Sequence, residues 1–141
     1  MCNESILDNL DPNNLNEFLK KLYKCFIEGD ENLKSKIIAL YLSKVSNIRN
    51  KPSQSQLRKY YDYLLNAQKI KDENKRTIKI ALLKPYVFYD SQRPATRGIR
   101  VLKGMIEEFV NRYLNTSTDK EKLLNDTLIF FESLVAYSKT K

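Results

Sequence analysis

Apolar side chains recur along this chain at spacings of three and four, the pattern of helices that bury one face. In the first such stretch Leu15, Leu19, Leu22 and Phe26 form a stripe that Phe18 and Tyr23 widen, and Gly29 supplies a stop. This predicts a helix over about 13–28. Leu33, Ile37, Leu40 and Tyr41 repeat the pattern in a second helix, expected to end before Pro52 because the residue preceding a proline resists the helical conformation. The Ile-Ile pair and the valine content keep a strand reading open there.

A third helix is expected after Pro52, where Ser53 and Gln56 have the spacing of a capping box. Leu57, Tyr60, Tyr61, Leu64 and Leu65 then give it one apolar face. Arg58 and Lys59 occupy its first turn, where a cation opposes the helix dipole by about 0.3–1 kcal/mol. That local cost points to a use for them, or to a nearby carboxylate such as Asp62, one turn on from Arg58.

The fourth stretch, Asp72 to Tyr89, turns apolar on nearly every side and reads as the central helix of a bundle. Pro85 within it is expected to kink or break it. Lys84 is the only charge between Ile80 and Tyr89, and either snorkels to the surface or meets a phosphate. Asp90 to Pro94 reads as a loop. Thr96 is then placed to cap a fifth helix buried through Leu102, Met105, Ile106, Phe109, Val110 and Tyr113. Arg93, Arg97, Arg100 and Lys103 cluster at its start, and Arg97 and Arg100, three apart beside free backbone amides, suit a phosphate. A second capping box, Thr118 to Glu121, opens a sixth helix that buries Leu124, Leu128, Phe131 and Val135, broadened by Phe130, Leu134 and Tyr137. Residues 1–11 carry no such pattern and are a candidate for disorder.

With three glycines and four prolines the chain lacks the turn-formers of a many-stranded sandwich or barrel. The expectation is an all-α fold, a compact bundle of five to six helices in one domain over residues 1–141.

The net charge of +8 is unevenly spread. Residues 34–112 hold eighteen basic and six acidic side chains, whereas residues 1–33 hold three and seven. A central excess of this kind attracts polyanions, which makes nucleic acid, an anionic membrane or an acidic protein the partner classes to weigh. No apolar run is long enough to span a bilayer and the acidic, Asn-rich start lacks a signal-peptide charge pattern, so a cytoplasmic protein without membrane contact is expected.

Catalytic chemistry finds little to work with. The absence of histidine removes the commonest general base and metal ligand. Cys2 and Cys25 are too few and too far apart for a zinc site, and both are expected to be reduced, Cys25 as a buried thiol. No glycine-rich phosphate loop or compact acidic cluster is present, and the adjacent Glu107 and Glu108 point in different directions on a helix. A non-enzyme without catalytic residues, metal or cofactor is expected.

Three stretches bear a resemblance. Gln54-Ser55-Gln56-Leu57-Arg58-Lys59-Tyr60-Tyr61, then Ala81-Leu82-Leu83-Lys84-Pro85 with Tyr89 and Arg93 downstream, then Phe131 to Lys139 with its Val135-Ala136-Tyr137, follow one another across residues 54–139. Together they resemble the small subunit of the type III-A CRISPR effector (Csm) complex. Asp90, Ser91 and Gln92 depart from the small residues and glycine that relatives tend to place before the arginine.

The resemblance implies a helical, non-catalytic subunit that self-associates along the inner side of a ribonucleoprotein filament. It would contact guide RNA and target RNA beside backbone and large subunits, in antiviral defence. Arg58, Lys84 and Arg93 match the family's basic positions, and Lys59 sits beside the first. The candidate RNA-binding set is therefore Arg58, Lys59, Lys84, Arg93, Arg97 and Arg100, reading phosphates while guide pairing supplies specificity. Tyr60, Tyr61, Tyr86 and Tyr89 are read as core. Two alternatives remain: a structural interaction subunit without RNA contact, and a helix-turn-helix regulator of duplex DNA.

Overall fold

The computed structural model describes residues 2–11, 13–45 and 52–138, with the side chains of Glu4, Ala95 and Arg97 outside the description. The chain is all-α, with no strand among the described residues. The stretches expected to be helical from their periodicity are helical.

Helix α2 (Leu15–Glu28) buries Leu15, Phe18, Leu19, Leu22, Tyr23, Cys25 and Phe26, the stripe its sequence carries. It ends at Gly29, whose φ of −82° is open to any residue. Glycine is needed there for space: a Cβ would lie 2.7 Å from Cδ2 of Leu33 and 2.9 Å from the Cys25 carbonyl oxygen. After the turn, α3 (Glu31–Lys36) runs without a stop into a π-helical turn (Ile37–Tyr41) and α4 (Leu42–Val45), which decides the segment against a strand. The wider turn inserts a residue into the register, so Ile37, Tyr41, Leu42 and Val45 face the core while Leu40, expected inside, is 54 % exposed. The end of this helix before Pro52 lies outside the described residues.

Helix α5 (Gln54–Lys69) opens with the expected capping box, the Gln56 amide donating to the Ser53 hydroxyl at 3.1 Å and the Ser53 amide donating to the Gln56 side chain at 2.9 Å. The Asp72–Tyr89 stretch is two helices, α6 (Glu73–Ala81) and α7 (Leu83–Gln92), parted at Leu82. Pro85 places the break, because it has no amide to give the carbonyl of Ala81 and its ring crowds that carbonyl. This pair is not the centre of the bundle as expected. It buries Ile80, Leu83 and Val87, while Ile78, Leu82, Tyr86, Phe88 and Tyr89 are exposed.

Helix α7 continues through most of the stretch read as a loop, and a 3-10 turn (Pro94–Ile99) leads into α8 (Arg100–Asn115). Thr96 caps no helix; its hydroxyl donates to the Asp90 carbonyl at 2.6 Å. Helix α9 (Lys120–Ser138) starts one residue later than a Thr118 cap requires, with the Leu123 amide bonded to the carbonyl of Asp119, a residue at φ 57°.

The centre belongs to α2, α8 and α9. Tyr23 and Phe26 pack on Phe130 with ring centroids 5.5 and 5.3 Å apart, and the buried Tyr23 hydroxyl meets the Thr127 hydroxyl at 2.7 Å. Full burial of side chains of this size stabilises by about 1.5–3 kcal/mol each. The hydroxyl pair adds direction to an otherwise apolar contact.

The chain's start, a candidate for disorder by sequence, holds a short helix, α1 (Glu4–Asp8), with Leu7 buried and Asp8 accepting from the Tyr41 hydroxyl at 2.7 Å. This fold-back brings Cys2 to Cys25, and the two form a disulfide, with Cα atoms 5.3 Å apart. The expectation of two reduced thiols is overturned, since sequence spacing gave no sign that α1 returns onto α2. Closing a loop of this size stabilises by about 3 kcal/mol in the chain-entropy account.

Two outcomes test the core. In urea unfolding, Thr127→Val should cost about 1–3 kcal/mol by stranding the Tyr23 hydroxyl, and adding Tyr23→Phe should recover much of that loss because no polar group is then left unpaired. In maleimide labelling of the denatured chain, Cys2 and Cys25 should react only after reduction.

Candidate nucleic-acid interface

Around α7, Leu83, Val87, Asp90 and Ser91 point inward. Tyr86 and Tyr89 lie on the flank toward α5, whereas Lys84 and Phe88 lie on the flank toward α8. The five candidate residues whose side chains are described lie in several places. Lys84 donates to the Asn111 side chain at 2.9 Å, and Arg100 donates to the Ser91 carbonyl at 2.9 Å, both along the α7–α8 seam. Arg93 covers the Tyr89 ring at 5.5 Å. Arg58 and Lys59 are both exposed but, as helix neighbours, point about 100° apart. The side chain of Arg97 lies outside the described residues. The paired stacking expected of Arg97 and Arg100 at a helix start gives way to the 3-10 turn, and α8 begins only at Arg100.

Lys59 has the most built surroundings. Its ammonium lies 2.7 Å from Oδ2 of Asp90, and the Tyr60 hydroxyl donates to the same oxygen at 2.6 Å. Asp90 is 4 % exposed, so its charge is tolerated only because these partners meet it. Burial pushes its carboxyl up, but the bonds from Lys59 and Tyr60 and the charges of Lys59 and Arg93 outweigh this and hold it below the ordinary carboxylate value. Burial, followed by the bond to Asp90, pushes the Tyr60 phenol well above its ordinary range, so it stays protonated and donating. Arg58 and Lys59, expected in the first turn of α5, fall in its second turn, and the carboxylate that meets Lys59 comes from α7. Tyr60 is core, as expected.

Beside this pair α5 and α7 leave an open groove of about 280 Å³, lined by Lys59, Tyr60, Tyr63, Tyr86, Tyr89 and Asp90. Tyr63 and Tyr86 meet edge to face at 5.8 Å, and the Tyr63 hydroxyl donates to the Lys79 carbonyl at 2.6 Å. Burial, then the neighbouring Tyr86, pushes the Tyr63 phenol up to about 12. The Lys79 ammonium stands 4.5 Å above the Tyr63 ring. Tyr86 is 46 % and Tyr89 62 % exposed, so the reading of these two as core is corrected. The available signal was an excess: Asp72–Tyr89 carries more apolar side chains than one buried face takes. Asp90 lay in the stretch read as a loop, and nothing in its spacing marked it as buried.

The family model Csm2 Type III-A matches residues 38–141, well over half of the chain. The chain belongs to the Csm2 Type III-A family. It is a small subunit of the type III-A CRISPR effector, the Csm complex, as the three motifs implied. No curated protein and no solved structure gives a significant match. In this Csm2 family member the matched region holds α5, α7 and α8, and with them every candidate residue and the whole groove.

The depressed Asp90 carboxyl has a signed consequence. The stability it contributes is complete above the ordinary value of 3.8 and is lost as pH falls through the lower folded-state value. Asp90→Asn should therefore lower stability by about 1–3 kcal/mol near neutrality. The gap from wild type should close in acid below about pH 4, read as urea midpoints across pH.

Proposed function

We propose that this chain is the non-catalytic, RNA-contacting small subunit of a cytoplasmic type III-A ribonucleoprotein effector in antiviral defence. It would contact guide RNA and target RNA through the phosphate backbone and self-associate along the inner side of the filament beside the backbone and large subunits. The observation that carries this reading is the placement of the basic excess: within the family-matched region Arg58, Lys59, Arg93 and Arg100 are all exposed, and Lys84 reaches the surface at the α7–α8 seam. Phosphates met this way are bound without regard to sequence, and specificity is left to base pairing.

The non-catalytic part rests on the amino acids themselves. The chain has no histidine, which removes the commonest general base and metal ligand. The exposed Ile78 and Leu82 support burial of the outer face of α6 in a larger assembly. In the described residues no helix is long and apolar enough to cross a membrane.

One observation favours a structural role without RNA contact: Lys59, Lys84 and Arg100 each have a polar partner within the chain. A salt titration separates the readings. Single-stranded RNA is titrated with wild type and with the Arg58→Ala, Lys84→Ala variant, alone and assembled with the other subunits. Backbone contact predicts steep weakening with salt in wild type, and in the variant a slope shallower by roughly 0.7 for each phosphate it no longer neutralises. Identical slopes in both settings would favour the structural role.

A further inference from the structure

We infer that the groove between α5 and α7 takes a single unstacked RNA base, held against the exposed rings of Tyr86 and Tyr89, with its flanking phosphates met by Arg93 and Lys79. This deepens the RNA-contact reading above and rests on it.

The groove has the two properties such a ligand needs. Its walls are aromatic: Tyr63, Tyr86 and Tyr89 all line it, and Tyr86 and Tyr89 keep about half or more of their surface in solvent. Its rim is cationic. The Arg93 guanidinium lies 5.5 Å from the Tyr89 ring and the Lys79 ammonium 4.5 Å from the Tyr63 ring, so both charges stand beside ring faces. The one carboxylate lining the groove, Asp90, is bonded to Lys59 and Tyr60, and among the described residues neither Arg93 nor Lys79 is in an ion pair, although the charge of Arg93 is felt by Asp90. A nucleotide is complementary to both features at once, since its base has two π-faces and its phosphates are anionic. Stacking tolerates any base, which suits a subunit that leaves sequence to guide pairing.

The α7 wall of the groove is anchored from its far side. Thr96 and Arg100 donate to the carbonyls of Asp90 and Ser91, pinning the last turn of α7. Gly98 lets the 3-10 turn approach α5, since a Cβ there would stand 2.7 Å from Oε1 of Gln56 and 3.2 Å from Cα of Pro52. The turn of α7 that carries Tyr89 and Asp90 is thereby tied to the 3-10 turn and to α8.

The test uses a short single-stranded RNA with one 2-aminopurine, whose fluorescence falls on stacking, and the same RNA with an abasic position there. The full chain is titrated alone and within the assembled complex. Wild type should quench the probe and bind the abasic RNA about tenfold more weakly, the low end for losing one stacked base. Tyr86→Leu with Tyr89→Leu should lose the quench and about tenfold in affinity while keeping the wild-type salt slope. Tyr86→Phe with Tyr89→Phe, which retains both rings, should bind as wild type does. Circular dichroism confirms that each variant is folded.

If the leucine variant binds and quenches like wild type while Arg58→Ala, Lys84→Ala flattens the salt slope, the groove inference is overturned and backbone contact stands. If wild type binds no RNA in either setting, both fall. If the leucine variant keeps RNA but no longer joins the complex, the groove docks protein and the inference is overturned.

Discussion

A carboxylate as enclosed as that of Asp90 cannot stay ionised without partners, and the two that meet it, Lys59 and Tyr60, both come from another helix. That requirement fixes α5 against α7. Helix α5 otherwise packs on α9 and α7 on α8, so the Asp90 knot spans two halves of the bundle at the mouth of the groove. Further bonds converge on the same turn, from Thr96 and Arg100 to the carbonyls of Asp90 and Ser91. The direction of α7 is set upstream by Pro85, which parts it from α6 at Leu82. The position of the last turn of α7, and with it the places of Tyr89 and Arg93, follows from these two constraints.

The described candidate cations form no single patch. Arg58 points about 100° from Lys59, Lys84 and Arg100 bind polar partners along the α7–α8 seam, and Arg93 and Lys79 overhang tyrosine rings. Three of the cations, Lys59, Lys84 and Arg100, are bonded to partners within the chain.

The family match begins at Ile38, yet the core does not respect that boundary. Helix α2, which precedes it, supplies Leu19, Leu22, Tyr23 and Phe26 to the centre and packs most closely on α8. It is held in turn by the buried Tyr23–Thr127 hydroxyl pair and by the disulfide that brings α1 onto it. The matched region thus carries the candidate interface, and the N-terminal region completes the core beneath it.

The helices and most of their buried faces were determined by the sequence itself. For α2, α8 and α9 the spacing of Leu, Ile and Phe names the core residues, because one regular helix with one buried face leaves a periodic record. The capping box at Ser53 and the break imposed by Pro85 are equally local, and so was the motif order that gave the family. Tertiary structure decided what depends on distant partners or a change of register. Leu40 turned outward because a π-turn shifted its phase, and Cys2 met Cys25 because α1 folds back. Tyr86 and Tyr89 stayed at the surface because α2, α8 and α9 had filled the centre. Asp90 became an anchor only where α5 came within hydrogen-bond reach across thirty residues of chain. Periodicity records which side of a helix is apolar, but not whether another element covers it, and that is why the site was less legible than the fold.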